Sequence, residues 1–211
     1  MKIGVIGAGV MGRGIAQVSA MAGHSVVLFD INHKMLEVAE NAIDKNLTKA
    51  IDLKKINSQE KESTQKRIQF SNSVADVKVD LIIEAIVEKI EVKLKVFNDL
   101  AEINKEDTVY ASNTSSIPLT QIAAGFKYPS RMVGIHFFNP AHIMKLVEVI
   151  RAEQTDPLVL DQAVTYVSSV RKKFIIAADA PGFIVNRVAR HFYVEGLKVL
   201  EENVASHEVI D

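Results

Sequence analysis

His136 and Glu148 have the residue types and the spacing that suit a pair for proton transfer. His136 ends one predicted strand, Glu148 lies within the next, and residues 137–144 connect the two. In an antiparallel hairpin centred on His142, these two side chains face each other on one side of the sheet. A carboxylate beside an imidazole fixes its tautomer and stabilises the imidazolium, which favours general base catalysis near neutral pH. A structural cross-strand pair is the alternative on these residues alone.

A glycine-rich turn near the start of the chain has the spacing of a dinucleotide site. Gly7-Ala8-Gly9-Val10-Met11-Gly12 follows an apolar strand and opens a helix, and Asp30 ends the next predicted strand. The first glycine permits a tight turn, the second lets a pyrophosphate approach the backbone, and the third lets helix and strand pack closely. The helix N-terminus favours the anion. Asp30 is predicted to bind the ribose hydroxyls, which favours NAD over NADP; a turn without a ligand is the alternative.

Short polar residues follow the predicted strand that ends at Ser112. Ligands of open α/β sheets bind at the carboxyl ends of strands, so Asn113 and Ser115 are placed to contact one. Helix capping is the alternative, because Pro118 begins a predicted helix. Ser116 suits that cap better than Ser115, which leaves Asn113 and Ser115 as candidate ligand contacts.

Asn186 is a further polar candidate, one turn into a predicted helix with otherwise apolar surroundings. Helix interiors mildly disfavour asparagine, so its side chain needs a partner. A ligand contact and a capping or surface role both remain open. The sequence contains neither the residue pattern of a nucleophile triad nor the spacing of a metal site, so no metal is expected.

The elements that position these residues alternate between short β-rich runs and longer helical patterns. This order predicts βαβ units and an α/β, mostly parallel sheet of Rossmann type. A charged insertion between the second and third strands predicts a projecting helical hairpin. The periodicity breaks at Ala177–Phe183 before an amphipathic helix, so we expect an NAD-binding domain over 1–180 and the first helix of an all-α domain over 181–211. The predicted strands are Lys2–Ile6, Ser25–Asp30, Arg67–Phe70, Asp80–Glu84, Thr108–Ser112, Arg131–His136, Lys145–Ile150 and Lys173–Ile176. The predicted helices are Gly12–Ala22, Lys34–Ile56, Gln59–Lys66, Glu91–Ile103, Pro118–Ala124, Pro157–Val170 and Ile184–Asn203.

Composition excludes several classes of function. The 211 residues are 48% apolar and 24% charged, which is typical of a folded globular protein. Lys plus Arg number 25 against 26 for Asp plus Glu, so the basic surplus typical of nucleic-acid binding is missing. Cysteine is absent, which excludes disulfides and thiolate chemistry and favours a cytoplasmic location. No apolar run approaches the roughly 18 residues that span a bilayer, so no membrane role is expected.

Together these motifs resemble the 3-hydroxyacyl-CoA dehydrogenase family, particularly its bacterial 3-hydroxybutyryl-CoA members. The resemblance extends from residue 1 to about residue 190. It implies a soluble enzyme of fatty acid metabolism and β-oxidation that interconverts 3-hydroxyacyl-CoA and 3-ketoacyl-CoA with NAD. The matching stretches are Ile6–Gly12, Ile83–Ala85, Ala111–Ser116, His136–Pro140, Met144–Ile150 and Ala180–Arg187.

The resemblance also implies individual roles. His136 matches the family's catalytic histidine, Glu148 its partner glutamate, and Ser115 and Asn186 match residues near the substrate oxygen. The family's helical hairpin holds CoA with lysines; Lys49 matches one of them, whereas the second falls at Leu53 with Lys54 beside it. The positions near the cofactor are matched by Gly7, Gly9, Val10, Met11, Gly12, Asp30, Ala85, Ile86, Glu88, Lys93 and Asn113.

The sequence departs from the family at two further places and in its length. Ala141-His142 replaces a more usual Val-Pro, and Arg190-His191 interrupts a stretch that is typically apolar. Family members continue into a helical domain that covers the acyl site and forms a dimer, so the resemblance implies a truncated C-terminal domain here and a homodimer in the full-length form. One alternative is a catalytically silent NAD-binding protein of the same fold, which the joint presence of the four candidate catalytic residues disfavours. Another is a dehydrogenase of free 3-hydroxy acids on the same scaffold, which relies on a catalytic lysine in a helix rather than on a histidine–glutamate hairpin.

Overall fold

An eight-stranded, mostly parallel sheet positions the candidate site. The computed structural model describes residues 1–211, and the strands lie in the order β3-β2-β1-β4-β5-β6-β7-β8. The strands are β1 Lys2–Ile6, β2 Ser25–Phe29, β3 Ile68–Ser71, β4 Leu81–Glu84, β5 Val109–Ser112, β6 Met132–Phe137, β7 Leu146–Arg151 and β8 Lys173–Ala178. The helices are α1 Val10–Met21, α2 His33–Asp52, α3 Ser58–Lys66, α4 Ile90–Ala101, α5 Leu119–Ala124, α6 Pro157–Ser169, α7 Val185–Glu201 and α8 His207–Ile210.

The strand order reverses at β1, which pairs in parallel with β2 on one side and β4 on the other. The crevice beyond the carboxyl ends of strands at such a switch point is the usual ligand position in open α/β sheets. Only the β6–β7 pair is antiparallel. The fold therefore places the glycine turn after β1 at the switch point, and the β6–β7 hairpin two strands beyond β4.

Both faces of the sheet are covered, which explains the continuous apolar strand sequences. Helices α1, α2 and α6 pack on one face, with Ile15, Leu36 and Val159 in the core. Helices α4 and α5 pack on the other face, where Phe97 and Ile122 are fully buried. The sheet therefore lies between two helical layers beneath the candidate site.

The predicted elements are confirmed, with shifted ends that have local causes. The α2–α3 hairpin is present, but α2 ends at Asp52 rather than Ile56 because Lys54 adopts a left-handed backbone (φ 55°). Asn57 then starts α3 through a reciprocal capping box with Glu60. α1 begins at Val10 rather than Gly12, and the short α8 was not predicted.

α7 differs from the other long helices because none of its residues is buried. Val188, Phe192 and Leu197 belong to a broad apolar surface of α7, called its apolar stripe below, and are 67%, 81% and 65% exposed. The division at residue 180 stays a prediction. None of the helices combines the length and the apolar composition that crossing a bilayer requires.

Candidate active site

His136 and Glu148 face each other across the β6–β7 hairpin, so the predicted register is confirmed. The His136 Nδ1 and Glu148 Oε2 atoms lie 2.7 Å apart, and the two residues are 5% and 0% exposed. A carboxylate accepts hydrogen bonds only, so Nδ1 carries the proton in this contact. The neutral ring therefore keeps its Nε2 lone pair free, which is the tautomer that a general base requires.

The second carboxylate oxygen of Glu148 holds the start of α7. Its Oε1 atom accepts hydrogen bonds from the backbone N–H groups of Ile184 and Val185, both at 2.9 Å. The His136 ring also contacts two phenyl rings, with centroid distances of 4.7 Å to Phe138 and 5.6 Å to Phe183. The two phenyl rings thus enclose the His136–Glu148 pair, and the hydrogen bonds of Glu148 connect the pair to α7.

The turn after β1 is shaped to accept a pyrophosphate. Gly7 has a left-handed backbone (φ +100°), and a Cβ at Gly12 would lie 1.7 Å from the Gly7 carbonyl oxygen. A Cβ at Gly9 would meet nothing within 4 Å, so space remains open beside this turn. α1 begins at Val10 without a side-chain cap, which leaves its first N–H groups for an anion. These residues fit a dinucleotide.

Asp30 follows β2 beside this turn. Its carboxylate accepts hydrogen bonds from the N–H groups of Ala8 at 2.8 Å and Asn32 at 2.9 Å. The fixed carboxylate keeps lone pairs for ribose hydroxyls, and its charge disfavours a 2′-phosphate. Ala85 and Ile86 follow β4 on the other side of the turn, where the Ala85 carbonyl oxygen would lie 2.7 Å from a Cβ on Gly7.

An ionic network around the buried Lys93 links the β4–α4 and β5–α5 connections. Lys93, 1% exposed, places its Nζ 2.7 Å from Glu84 and 3.0 Å from Glu88. The Glu84 carboxylate also accepts from the Ser112 hydroxyl at 2.7 Å. The family resemblance assigns Glu88 and Lys93 to the cofactor site but does not include Glu84, a fully buried acid at the end of a strand. Its position at the carboxyl end of an apolar strand is the signal that could have identified it.

Glu88 is held as a carboxylate by this network. Burial opposes its ionisation, but hydrogen bonds from the Thr114 and Ser116 hydroxyls and the Lys93 ammonium outweigh burial and lower the pKa of Glu88 to about 2. Glu88 also accepts from the Ser115 N–H at 3.2 Å. The Ser115 backbone is therefore anchored, although the residue is exposed.

Ser116, the residue better suited to cap the helix after Pro118 in the alternative to a ligand contact, does not cap it in the structure. The Ser116 hydroxyl donates to Glu88 instead. The Asp179 carboxylate caps α5 instead. It accepts hydrogen bonds from the backbone N–H of Leu119 at 3.0 Å and from that of Thr120 at 2.7 Å. Asp179 follows β8, so this cap is a long-range contact that no local spacing indicates.

The other predicted site residues lie at three places. The Asn113 side-chain oxygen accepts from the Phe137 N–H at 2.8 Å, so it joins the β5 connection to the dyad strand rather than standing free. Asn186 is half-buried and lies in the first turn of α7, directly after the N–H groups that bind Glu148. Lys49 and Lys54 are exposed on the α2–α3 hairpin and make no hydrogen bond to the dyad.

With this geometry established, comparison with known proteins identifies the family. Residues 2–180 match the family described as "3-hydroxyacyl-CoA dehydrogenase, NAD binding domain". The chain belongs to the 3-hydroxyacyl-CoA dehydrogenase family. The predictions of this family, of a Rossmann-type fold and of an NAD-binding domain are thereby confirmed.

Three relatives show how far the similarity extends. A 3-hydroxyadipyl-CoA dehydrogenase of Escherichia coli (strain K12) is 44% identical over 210 residues, which cover 99% of this chain and 44% of that protein. A 3-hydroxybutyryl-CoA dehydrogenase of Bradyrhizobium diazoefficiens is 40% identical over 211 residues, which cover 100% of this chain and 72% of that protein. The crystal structure of a 3-hydroxybutyryl-CoA dehydrogenase from E. coli K12 has a TM-score of 0.96 at 43% identity, covering 100% of this chain and 45% of that one. The chain thus spans less than half the length of the E. coli relatives.

Proposed function

We propose that this chain provides the cofactor site and the general base of an NAD-dependent 3-hydroxyacyl-CoA dehydrogenase. The observation that carries the proposal is the 2.7 Å contact from His136 Nδ1 to Glu148, which leaves Nε2 as the basic atom. A short acyl group, as in 3-hydroxybutyryl-CoA, is the proposed substrate. The similarity to proteins named 3-hydroxybutyryl-CoA dehydrogenase supports that choice.

In the oxidative direction, His136 Nε2 accepts the proton of the substrate 3-hydroxyl, and Glu148 stabilises the resulting imidazolium. NAD, when bound, supplies the acceptor for the hydride from C3. Ser115 and Asn186 donate hydrogen bonds to the substrate oxygen and orient it toward His136. In the reverse direction, His136 returns the proton to the ketone oxygen.

The cofactor contacts follow from the turn and its neighbours. The free N–H groups at the start of α1 bind the pyrophosphate beside Gly9, and Asp30 accepts from the adenosine ribose. Glu88, Lys93 and Asn113 surround the rest of the cofactor on the next connections. Lys49 and Lys54 on the α2–α3 hairpin bind CoA phosphates through their ammonium groups.

The proposal is tested by adding acetoacetyl-CoA to the chain with NADH and following absorbance, with NADPH in parallel. We expect turnover that prefers NADH. His136→Gln is expected to lower kcat by about 10²- to 10⁴-fold, the usual contribution of a general base, while NADH binding measured by fluorescence is retained. NADH binding without turnover on any 3-ketoacyl-CoA would favour the catalytically silent alternative. Equal turnover by His136→Gln would remove His136 from the reaction.

Two further features belong to this proposal. The absence of cysteine supports a cytoplasmic location. The exposed apolar stripe on α7 supports association of two copies of the chain.

A further inference from the structure

The segment Ala180–Val185, here called the α7 entry turn, has an unusual backbone next to the dyad. Gly182 and Phe183 are consecutive left-handed residues, with φ of +73° and +47°. Glycine adopts this region freely, whereas a bulky side chain disfavours it. Phe183 holds the conformation while only 5% exposed. Such conformations persist only where the surrounding structure maintains them, and they concentrate at functional sites.

The entry turn directs two N–H groups at one atom of the dyad. The Phe183 N–H donates to the Ala180 carbonyl at 2.9 Å and closes the turn. The next two N–H groups, of Ile184 and Val185, then both point to Oε1 of Glu148. They belong to the start of α7 and have no partner within the helix. The buried carboxylate satisfies them, and the helix dipole favours its negative charge.

The Phe183 ring also contacts the His136–Glu148 pair, on the imidazole side. Its centroid lies 5.6 Å from that of the His136 imidazole, and Phe138 contacts the imidazole at 4.7 Å. These rings leave His136 5% exposed and Glu148 fully buried. Exclusion of water strengthens the hydrogen bond between the imidazole and the carboxylate, because the local dielectric constant is low.

We propose that Phe183 is a positioning residue for the proton-transfer pair, acting through Glu148 and His136 without touching the substrate. This inference rests on the proposed role of His136 as the general base. The left-handed backbone of Phe183 fixes Oε1 of Glu148 on two amides, so that Oε2 faces Nδ1 of His136. The ring of Phe183 keeps water away from that second contact.

Two variants of Phe183 test the contribution of its ring, and a third variant is the control. Phe183→Gly retains access to the left-handed backbone but removes the ring, whereas Phe183→Leu retains apolar bulk. Phe70→Leu, on the distant edge strand β3, is the matched control. The readouts are the low-field proton resonance of the His136 Nδ1–H in the free protein, kcat, and the Kd for NADH.

Phe183→Gly is expected to lose the slowly exchanging imidazole resonance and about 10- to 100-fold in kcat, as misplacement of a reacting group does, with an unchanged Kd for NADH. Phe183→Leu and Phe70→Leu are expected to keep the resonance and most of the rate. If the glycine variant does not fold in a thermal melt, Phe183→Asn gives the same comparison, because asparagine also tolerates the left-handed region.

Retention of both the resonance and kcat by Phe183→Gly would overturn the proposal. So would the absence of a slowly exchanging imidazole proton from the unsubstituted protein. The resonance is measured without cofactor or substrate. If the unsubstituted chain fails to reduce acetoacetyl-CoA, the proposed function fails, but the spectra still decide whether Phe183 positions the pair.

Discussion

At the scale of single residues, Glu148 has the most demanding environment in the candidate site. Its two oxygens accept three hydrogen bonds, one from His136 and two from the start of α7, in a position with no exposure to water. Every neighbouring group is a donor. The site therefore requires a side chain that only accepts, which a carboxylate satisfies and an amide does not.

This requirement predicts the effect of Glu148→Gln. The amide NH₂ either faces the α7 N–H groups, which leaves buried donors unpaired, or faces His136, which forces the tautomer with the proton on Nε2. We expect the free energy of unfolding to fall by about 1–3 kcal/mol. We expect kcat to fall by about 10³- to 10⁴-fold, since the histidine tautomer is no longer fixed.

Urea unfolding and steady-state kinetics check both effects. Glu153→Gln, an exposed substitution just after β7, is the control and should change neither quantity. Full stability together with full activity in Glu148→Gln would show that the second acceptor oxygen is dispensable.

At the scale of elements, the turn between β1 and α1 contains two glycines, and a different physical requirement explains glycine at each position. Gly12 is required by the fold, because an added Cβ would overlap the Gly7 carbonyl oxygen at 1.7 Å. Gly9 has φ of −65°, which any residue adopts, and open space around it. Gly12 is therefore needed for close packing of helix and strand, whereas Gly9 keeps space open for the ligand.

A matched pair of alanine substitutions tests this division. Gly9→Ala should leave the melting temperature of the free protein unchanged but weaken NADH binding at least about tenfold, because the methyl group occupies the space beside the helix N-terminus. Gly12→Ala should not fold to a soluble protein. Thermal melts and fluorescence titration measure both outcomes. Unchanged NADH affinity in Gly9→Ala would place the pyrophosphate elsewhere.

The contacts of Glu88 between the connections after β4 and β5 predict how the free energy of unfolding changes at acid pH. Glu88 has a folded-state pKa of about 2 against 4.5 for the free side chain. A lowered pKa stabilises the folded state above the unfolded value, and this contribution is lost as the pH falls from 4.5 toward 2. The stability difference between the unsubstituted chain and Glu88→Gln should therefore be constant above about pH 5 and shrink below it.

Urea unfolding at several pH values measures this difference. Glu106→Gln, an exposed carboxylate between α4 and β5, is the control and should show no such dependence. A Glu88→Gln difference that stays constant down to pH 2 would exclude the ionised Glu88 carboxylate as a source of stability.

At the scale of the whole molecule, α7 is the long helix whose apolar stripe is exposed to solvent. Contiguous exposed apolar surface of this kind marks an interaction site. We expect the chain to associate at micromolar concentration, and the double substitution of Phe192 and Leu197 by serine to shift it toward monomer in sedimentation velocity. Leu158→Ser, on the exposed side of α6, should not change association. A single monomeric species before substitution would contradict this expectation.

Much of this molecule follows from its sequence. The strand and helix pattern predicted the parallel sheet and the α2–α3 hairpin, because period and turn residues act locally. The glycine spacing with Asp30 predicted the dinucleotide turn for the same reason. Symmetry about His142 predicted the facing of His136 and Glu148, since hairpin register depends on short-range geometry alone.

Only the tertiary structure decided the contacts between segments distant in the chain. The α5 cap is supplied by Asp179, about sixty residues away, rather than by Ser116. Glu84 joins Lys93 and Ser112 in a buried network that crosses two strands. Glu148 binds α7 as well as His136 because β8 returns the chain to the sheet edge beside β7. Local sequence determines which residues form an element, but long-range packing determines which buried polar groups find each other, and each must find a partner.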